Sequence, residues 1–168
     1  QTSAPWFFLM LSPVGSPYES PGPRVNDPSV TEDQAADFMV RYLAIALGSG
    51  MVDRVYWWQL VARGYGLVDD TDETTWRLRP AYQAFRYLVR TLGPCTFVRR
   101  ESTMSGPVEC FLFRREDGGF IRLAWTTAPR RVDFPFVADR VVDALGRDCA
   151  SDGTGSITRV ELGPRPVY

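Results

Sequence analysis

The spacing of the apolar residues changes at Gly93-Pro94, and that change constrains the fold more than any other feature of the chain. Before it, apolar side chains recur at helical spacing. After it they alternate at strand spacing, with turn residues about every 8–12 positions. The break predicts two units, an α/β segment over residues 1–93 and an all-β module over 94–168.

Within the first unit, Thr31 opens T-E-D-Q, a capping box with Gln34 three positions after the cap, and Phe38, Met39, Tyr42, Leu43, Ala46 and Leu47 follow on one helical face. A helix is expected there, ending near Gly48 or Gly50. Residues 5–11 (PWFFLML) are continuously apolar, as in a strand covered on both faces. The run 52–60 (VDRVYWWQL) is aromatic and β-branched and has strand length. Between Ser12 and Pro28 the density of Pro, Gly and Ser predicts a long loop. Pro80 suits a first helical position, and Tyr82, Phe85, Leu88, Val89 and Leu92 form an apolar face up to Gly93. The order is strand, helix, strand, helix.

In the second unit, Ile121, Leu123 and Trp125 alternate with Arg122 and Ala124, and Thr158, Val160 and Leu162 alternate with Arg159 and Glu161. Asp117-Gly118-Gly119 predicts a hairpin turn between 107–115 and 119–126. Further strands are expected near 132–136, 139–145 and 165–168.

Composition narrows the chemistry. The 19 basic residues are all Arg and are dispersed, and the net charge is -1, so no basic block exists to neutralise a run of phosphates. No apolar run approaches the roughly 18 residues that span a bilayer. Neither nucleic acid nor a membrane is expected as partner. Gln1 is preceded by no charged n-region, so Trp6–Leu11 is expected to be a strand rather than a signal peptide, in a piece of something longer. With no His in the chain, neither a Ser-His-Asp nor a Cys-His mechanism can be assembled. Cys95, Cys110 and Cys149 leave one thiol over in any pairing and lack metal-ligand spacing, so buried thiols are expected, with no metal and no cofactor. The acidic run Asp69, Asp70, Asp72 and Glu73 lacks the spacing of a calcium loop and is expected to be a solvated face.

The stretch RVYWWQLVARGYGLVDD, with RLRPAYQAFRYLVRTLG after it, resembles the last strand, last loop and last helix of bacterial glycoside hydrolases with the (β/α)8 fold. Trp57, Trp58, Gln59 and Leu60 carry the likeness at the strand end, Gly64 to Asp69 in the loop, and Arg79 to Tyr82 at the helix start. The closing Pro166-Val167-Tyr168 looks like the last strand of the domains that follow these barrels. The resemblance implies the last βαβα segment of a TIM barrel followed by a small antiparallel β-sandwich, in a protein that hydrolyses glycosides with retention. It implies a nucleophilic Glu at the end of the seventh strand. Here that strand would be the run at 5–13, where Leu9, Met10 and Leu11 stand instead, and the nearest downstream carboxylate is Glu19 on the following loop, expected to be merely solvated.

No catalytic residue is therefore assigned, since hydrolysis needs two carboxylates at a set separation. The expected contact with carbohydrate is Trp58, whose indole face can stack on a sugar ring, with Gln59 as a hydrogen-bonding neighbour and Trp57 on the opposite side of the strand. Arg63, Tyr65 and Asp69 border that position on a packed loop in which Asp69 is expected to close a turn. A whole barrel takes about 250 residues. The segment is thus expected to pair with the missing N-terminal part of the barrel, or to self-associate through open strand edges. The other reading is a non-catalytic carbohydrate-binding or interaction module.

Overall fold

The computed structural model describes residues 30–168 apart from 53, 62–65, 73 and 102–107. The expected strand at 5–11, the loop 12–28, Glu19, Arg63 and Tyr65 lie outside the described residues. In chain order the elements are α1 (Glu32–Gly48), β1 (Val68–Asp72), β2 (Thr75–Leu78), α2 (Pro80–Leu92), β3 (Thr96–Glu101), β4 (Glu109–Arg114), β5 (Phe120–Trp125), β6 (Arg130–Phe134), β7 (Ser151–Thr154) and β8 (Ile157–Leu162). The class is mixed α/β, with two helices and three small antiparallel sheets ordered β1-β2, β3-β4-β5 and β6-β8-β7.

Helix α1 begins as its capping box requires. Thr31 Oγ1 accepts from the Gln34 amide at 3.1 Å, and the Gln34 side chain accepts from the Thr31 amide at 2.9 Å. Helix α2 starts on Pro80, which lacks the N–H that a first turn leaves unsatisfied anyway. The two helices bury Ala36, Met39, Val40, Leu43 and Ala44 against Ala81, Ala84, Leu88 and Leu92.

The same core continues onto β4 and β5 through Phe111, Phe113, Leu123 and Trp125, with Phe111 and Trp125 stacked at 5.3 Å. Side chains alternate along a strand, so Cys110 and Ala124 face the other way. They join Val132, Phe134, Val160 and Leu162 of β6 and β8 in a second core. The sheet β3-β4-β5 thus lies between the helix pair and the sheet β6-β8-β7, which is why four of the six β4 residues are fully buried. Gly48 permits this approach: a Cβ there would meet the Phe111 ring at 2.5 Å.

Several sequence expectations are corrected. Residues 52–60 form no strand among the described residues; the nearest ladder contact is the parallel bridge of Val61 to Val68. Aromatic and β-branched content measures fit to a pleated surface beside a partner strand, and a single bridge does not extend one. The acidic stretch, expected to be a solvated face, lies largely on the β1–β2 hairpin; Asp72 is exposed, while Asp69 and Asp70 are half-buried. Its turn is closed by Asp72 rather than Asp69. The Asp72 carboxylate accepts from the Thr74 amide at 2.9 Å and from the Thr74 and Thr75 hydroxyls at 2.6 Å, which lower its pKa to about 2. β6 begins two residues before the expected span and ends at Phe134. Over 139–145 the chain makes only bridges, at Val142 and Asp143, and over 165–168 only Val167 bridges, to Ala124 and Asp143. Of the cysteines Cys110 is buried, while Cys95 and Cys149 are half-buried, and all three are free thiols.

A polar clamp ties α1 to the end of the chain. Arg165 Nε donates to Asp37 at 3.0 Å, its Nη2 lies 3.3 Å from Asp33, and its Nη1 lies 3.7 Å from Asp143. Burial pushes the Asp37 carboxyl up from 3.8 to about 6 against the pull of Arg165. Because the folded pKa is the higher one, the stability from Asp37 protonation is complete below the unfolded value and is lost as pH rises through about 6. Lowering the pH from 7 to 5 is therefore expected to stabilise the chain by about 1 kcal/mol, after allowing for water at the site. Thermal melts of the wild type and of Asp37→Asn check this: the variant should show a flatter profile, and a wild-type Tm that falls over that window contradicts the assignment.

Candidate functional site

The segment Val55–Leu60 is held from below by its alternate residues. Val55 and Trp57 are half-buried and pack on the helix core, so Tyr56 and Trp58 point away and stand 66% and 61% exposed. The carbonyls of Gln59 and Leu60 accept from the amides of Leu67 and Val68 at 3.4 and 2.8 Å, anchoring the segment to the start of β1. The peptide bond between Trp58 and Gln59 is cis.

The three predicted site residues thus divide between two surfaces. Trp58 and Gln59 are exposed. Trp57 belongs to the packed side, where its indole N–H is buried without a hydrogen-bond partner among the described residues. Trp76 on β2 is 69% exposed, and Leu60 and Leu78 are 56% and 49% exposed on either side of Val68. Sequence reading passed over Trp76 because it sits in a polar stretch, Glu73 to Arg79, with no strand-length apolar run to flag it.

Beside this face lies a four-membered ion cluster. Arg77 grips Glu32 with both terminal nitrogens, at 2.8 and 2.6 Å, and Asp69 at 2.8 Å. Arg79, 4% exposed at the start of α2, reaches the same two carboxylates at 3.2 Å each. The hydrogen bond from Arg77 and the charges of both arginines outweigh burial and hold the Glu32 carboxyl below its usual value. A general acid needs the opposite shift. Glu32 is therefore unsuited to proton transfer, and with Asp69 it fastens α1, the β1–β2 hairpin and the start of α2 together. Among the described residues, no group of three His, Cys, Asp or Glu could hold a metal ion.

The described architecture, two helices with three small antiparallel sheets, is similar in fold to part of one solved glycoside hydrolase. A solved family 39 glycoside hydrolase from the gut symbiont Bacteroides cellulosilyticus WH2 matches 79% of this chain with a TM-score of 0.62 and 22% sequence identity, a likeness of fold. The chain spans 29% of the length of that relative. No family model and no curated protein matches the chain.

Proposed function

We propose that this chain is the C-terminal part of a glycoside hydrolase-like protein, with residues 1–93 belonging to the end of a TIM barrel and 94–168 forming an accessory β-sandwich. Trp58 contacts carbohydrate in this reading, Gln59 hydrogen-bonds beside it, and Trp57 is a packing residue. The carrying observation is the fold likeness to a family 39 glycoside hydrolase, of which this chain spans 29%. The exposed apolar side chains Tyr56, Leu60, Trp76 and Leu78 are then the surface against which the N-terminal part of the barrel, or a second copy, packs. The second reading, a non-catalytic carbohydrate-binding or interaction module, rests on the exposed indoles of Trp58 and Trp76.

Oligosaccharides titrated against tryptophan fluorescence test the binding role. Binding in the millimolar range is expected, about -4 kcal/mol. Trp58→Phe should weaken it roughly fivefold, the loss of about 1 kcal/mol of stacking, while Trp57→Phe should change stability more than binding. If Trp57→Phe abolishes binding and Trp58→Phe leaves it intact, the assignment is inverted. The chain alone is expected to release no nitrophenol from aryl glycosides at any pH. Turnover above the buffer rate that disappears in Glu19→Gln would restore that carboxylate as a catalyst.

A further inference from the structure

A second concavity lies far along the chain from Trp58, where β5, the loop that follows β6 and the C-terminal half of α2 meet. It encloses about 610 Å³. Small-molecule sites commonly fall between about 300 and 1,000 Å³. Ala124, Val142, Val160 and Val167 line it and are all buried. The side chains of Tyr87, Phe134 and Phe136 border the same space. Phe120 and Val137, also in the lining, remain 57% and 61% exposed, so its mouth is apolar as well as its depth.

The charges around the cleft are already matched. Arg115 is held by Asp117 at 2.7 Å, Arg122 by Glu101 at 2.8 Å and Arg140 by Asp148 at 2.6 Å. A guanidinium with a carboxylate at contact distance offers a second anion little net attraction. Asp139, the acidic residue of the lining, is exposed, and there water and salt screen it. The polar groups further in are also satisfied. The Thr158 hydroxyl donates to the Phe136 carbonyl at 2.8 Å and accepts from the Ala138 amide at 2.7 Å. Val142 and Tyr168 exchange backbone hydrogen bonds at 3.0 and 2.8 Å. These bonds fix the 136–142 segment to β8 and to the final residues, so the cleft stands formed without an occupant. What it offers a ligand is apolar area.

We propose that this cleft binds an uncharged, flat fused-ring molecule, seated on the buried valines with its outer edge against Phe120 and Val137. An ion of either sign would give up its hydration there and find no unmatched partner inside, which excludes it on energetic grounds. An uncharged ring system loses no such hydration, and its faces and edges suit the aromatic side chains of the lining. The site is independent of the role given to Trp58.

The full chain titrated with N-phenyl-1-naphthylamine tests the site, because this uncharged probe brightens in apolar surroundings. Its 8-sulfonate supplies the same rings with a negative charge. The uncharged probe is expected to bind about tenfold more tightly than the sulfonate, which must shed its hydration without compensation. Phe120→Ser and Val137→Asp, both on exposed positions, should each weaken the uncharged probe severalfold with Tm unchanged. Trp76→Ser, on the other exposed apolar face, should leave its affinity as it was. Absence of binding overturns the proposal, as does sulfonate affinity equal to or above that of the uncharged probe. Probe affinity that survives Phe120→Ser and Val137→Asp but falls in Trp76→Ser overturns it too, by placing the probe on the β1–β2 side.

Discussion

Replacing Gly146 by Ala is expected to destabilise the chain by about 3 kcal/mol, through a strained backbone and an overfilled contact. Gly146 has φ +82°, where side chains carrying a Cβ are rarely found, and an added Cβ would lie 2.6 Å from two ring carbons of Tyr87. The displaced ring would also disturb its contact with Tyr168, at 5.3 Å and near-perpendicular. Gly155 is the internal control. It has φ +65° but nothing within 4 Å of its added Cβ, so Gly155→Ala carries the backbone cost alone, about 1 kcal/mol. Urea denaturation of the two variants separates the effects. Equal losses would mean that Tyr87 moves aside freely and that the contact has no energetic weight.

Replacing Arg165 by Met is the second large effect, expected to cost about 2 kcal/mol at pH 8, because removing one partner leaves buried charge uncompensated. Asp37 and Asp143 are each 7% exposed, and Arg165 lies within 3.0 Å of the first and 3.7 Å of the second. Asp143 keeps other support, from the amides of Leu145 and Arg147 and from the Arg147 side chain at 2.7 Å. Asp37 is therefore the group left exposed to the loss. It can take up a proton, so the cost should shrink at pH 5. Adding Asp37→Asn to Arg165→Met should recover part of the lost stability at pH 8. A loss independent of pH, with no recovery in the double variant, would show that Arg165 acts through its aliphatic stem and not its charge.

The two clusters of arginine and carboxylate have the same structural role, and both are anchored on the first turns of α1. Glu32 is in the first turn of α1, yet its partners Arg77 and Arg79 come from β2 and the start of α2. Asp37, little more than one turn further, meets Arg165 from beyond β8. Helix α1 is thus a common strut, joined by charge to the hairpin ahead of α2 and to the final segment. Its apolar face meanwhile packs on α2 and the sheet β3-β4-β5.

Local chemistry by itself determined α1, α2, the β4–β5 hairpin and β8. A capping box, a proline at a helix start, an Asp-Gly-Gly turn and strict alternation each act within a few residues, so their outcome does not wait for the rest of the chain. The separation of Trp57 from Trp58 does not belong to that class, since it follows from Val55 and Trp57 packing on the helix core. Tertiary structure alone decided the rest. The β1–β2 hairpin is short and acidic, and its support comes from Glu32 on α1 and Arg79 at the N-cap of α2. β3 carries Arg99 and Arg100 among its apolar residues, and β7 is Ser-Asp-Gly-Thr throughout, so both take their strand state from the neighbour each pairs with. The run 52–60 shows the converse, because strand-forming side chains acquire a ladder only where a partner strand is placed. The cleft bordered by Tyr87, Phe136, Val160 and Tyr168 depends on how two sheets and α2 meet, and no spacing of residues along the chain encodes it.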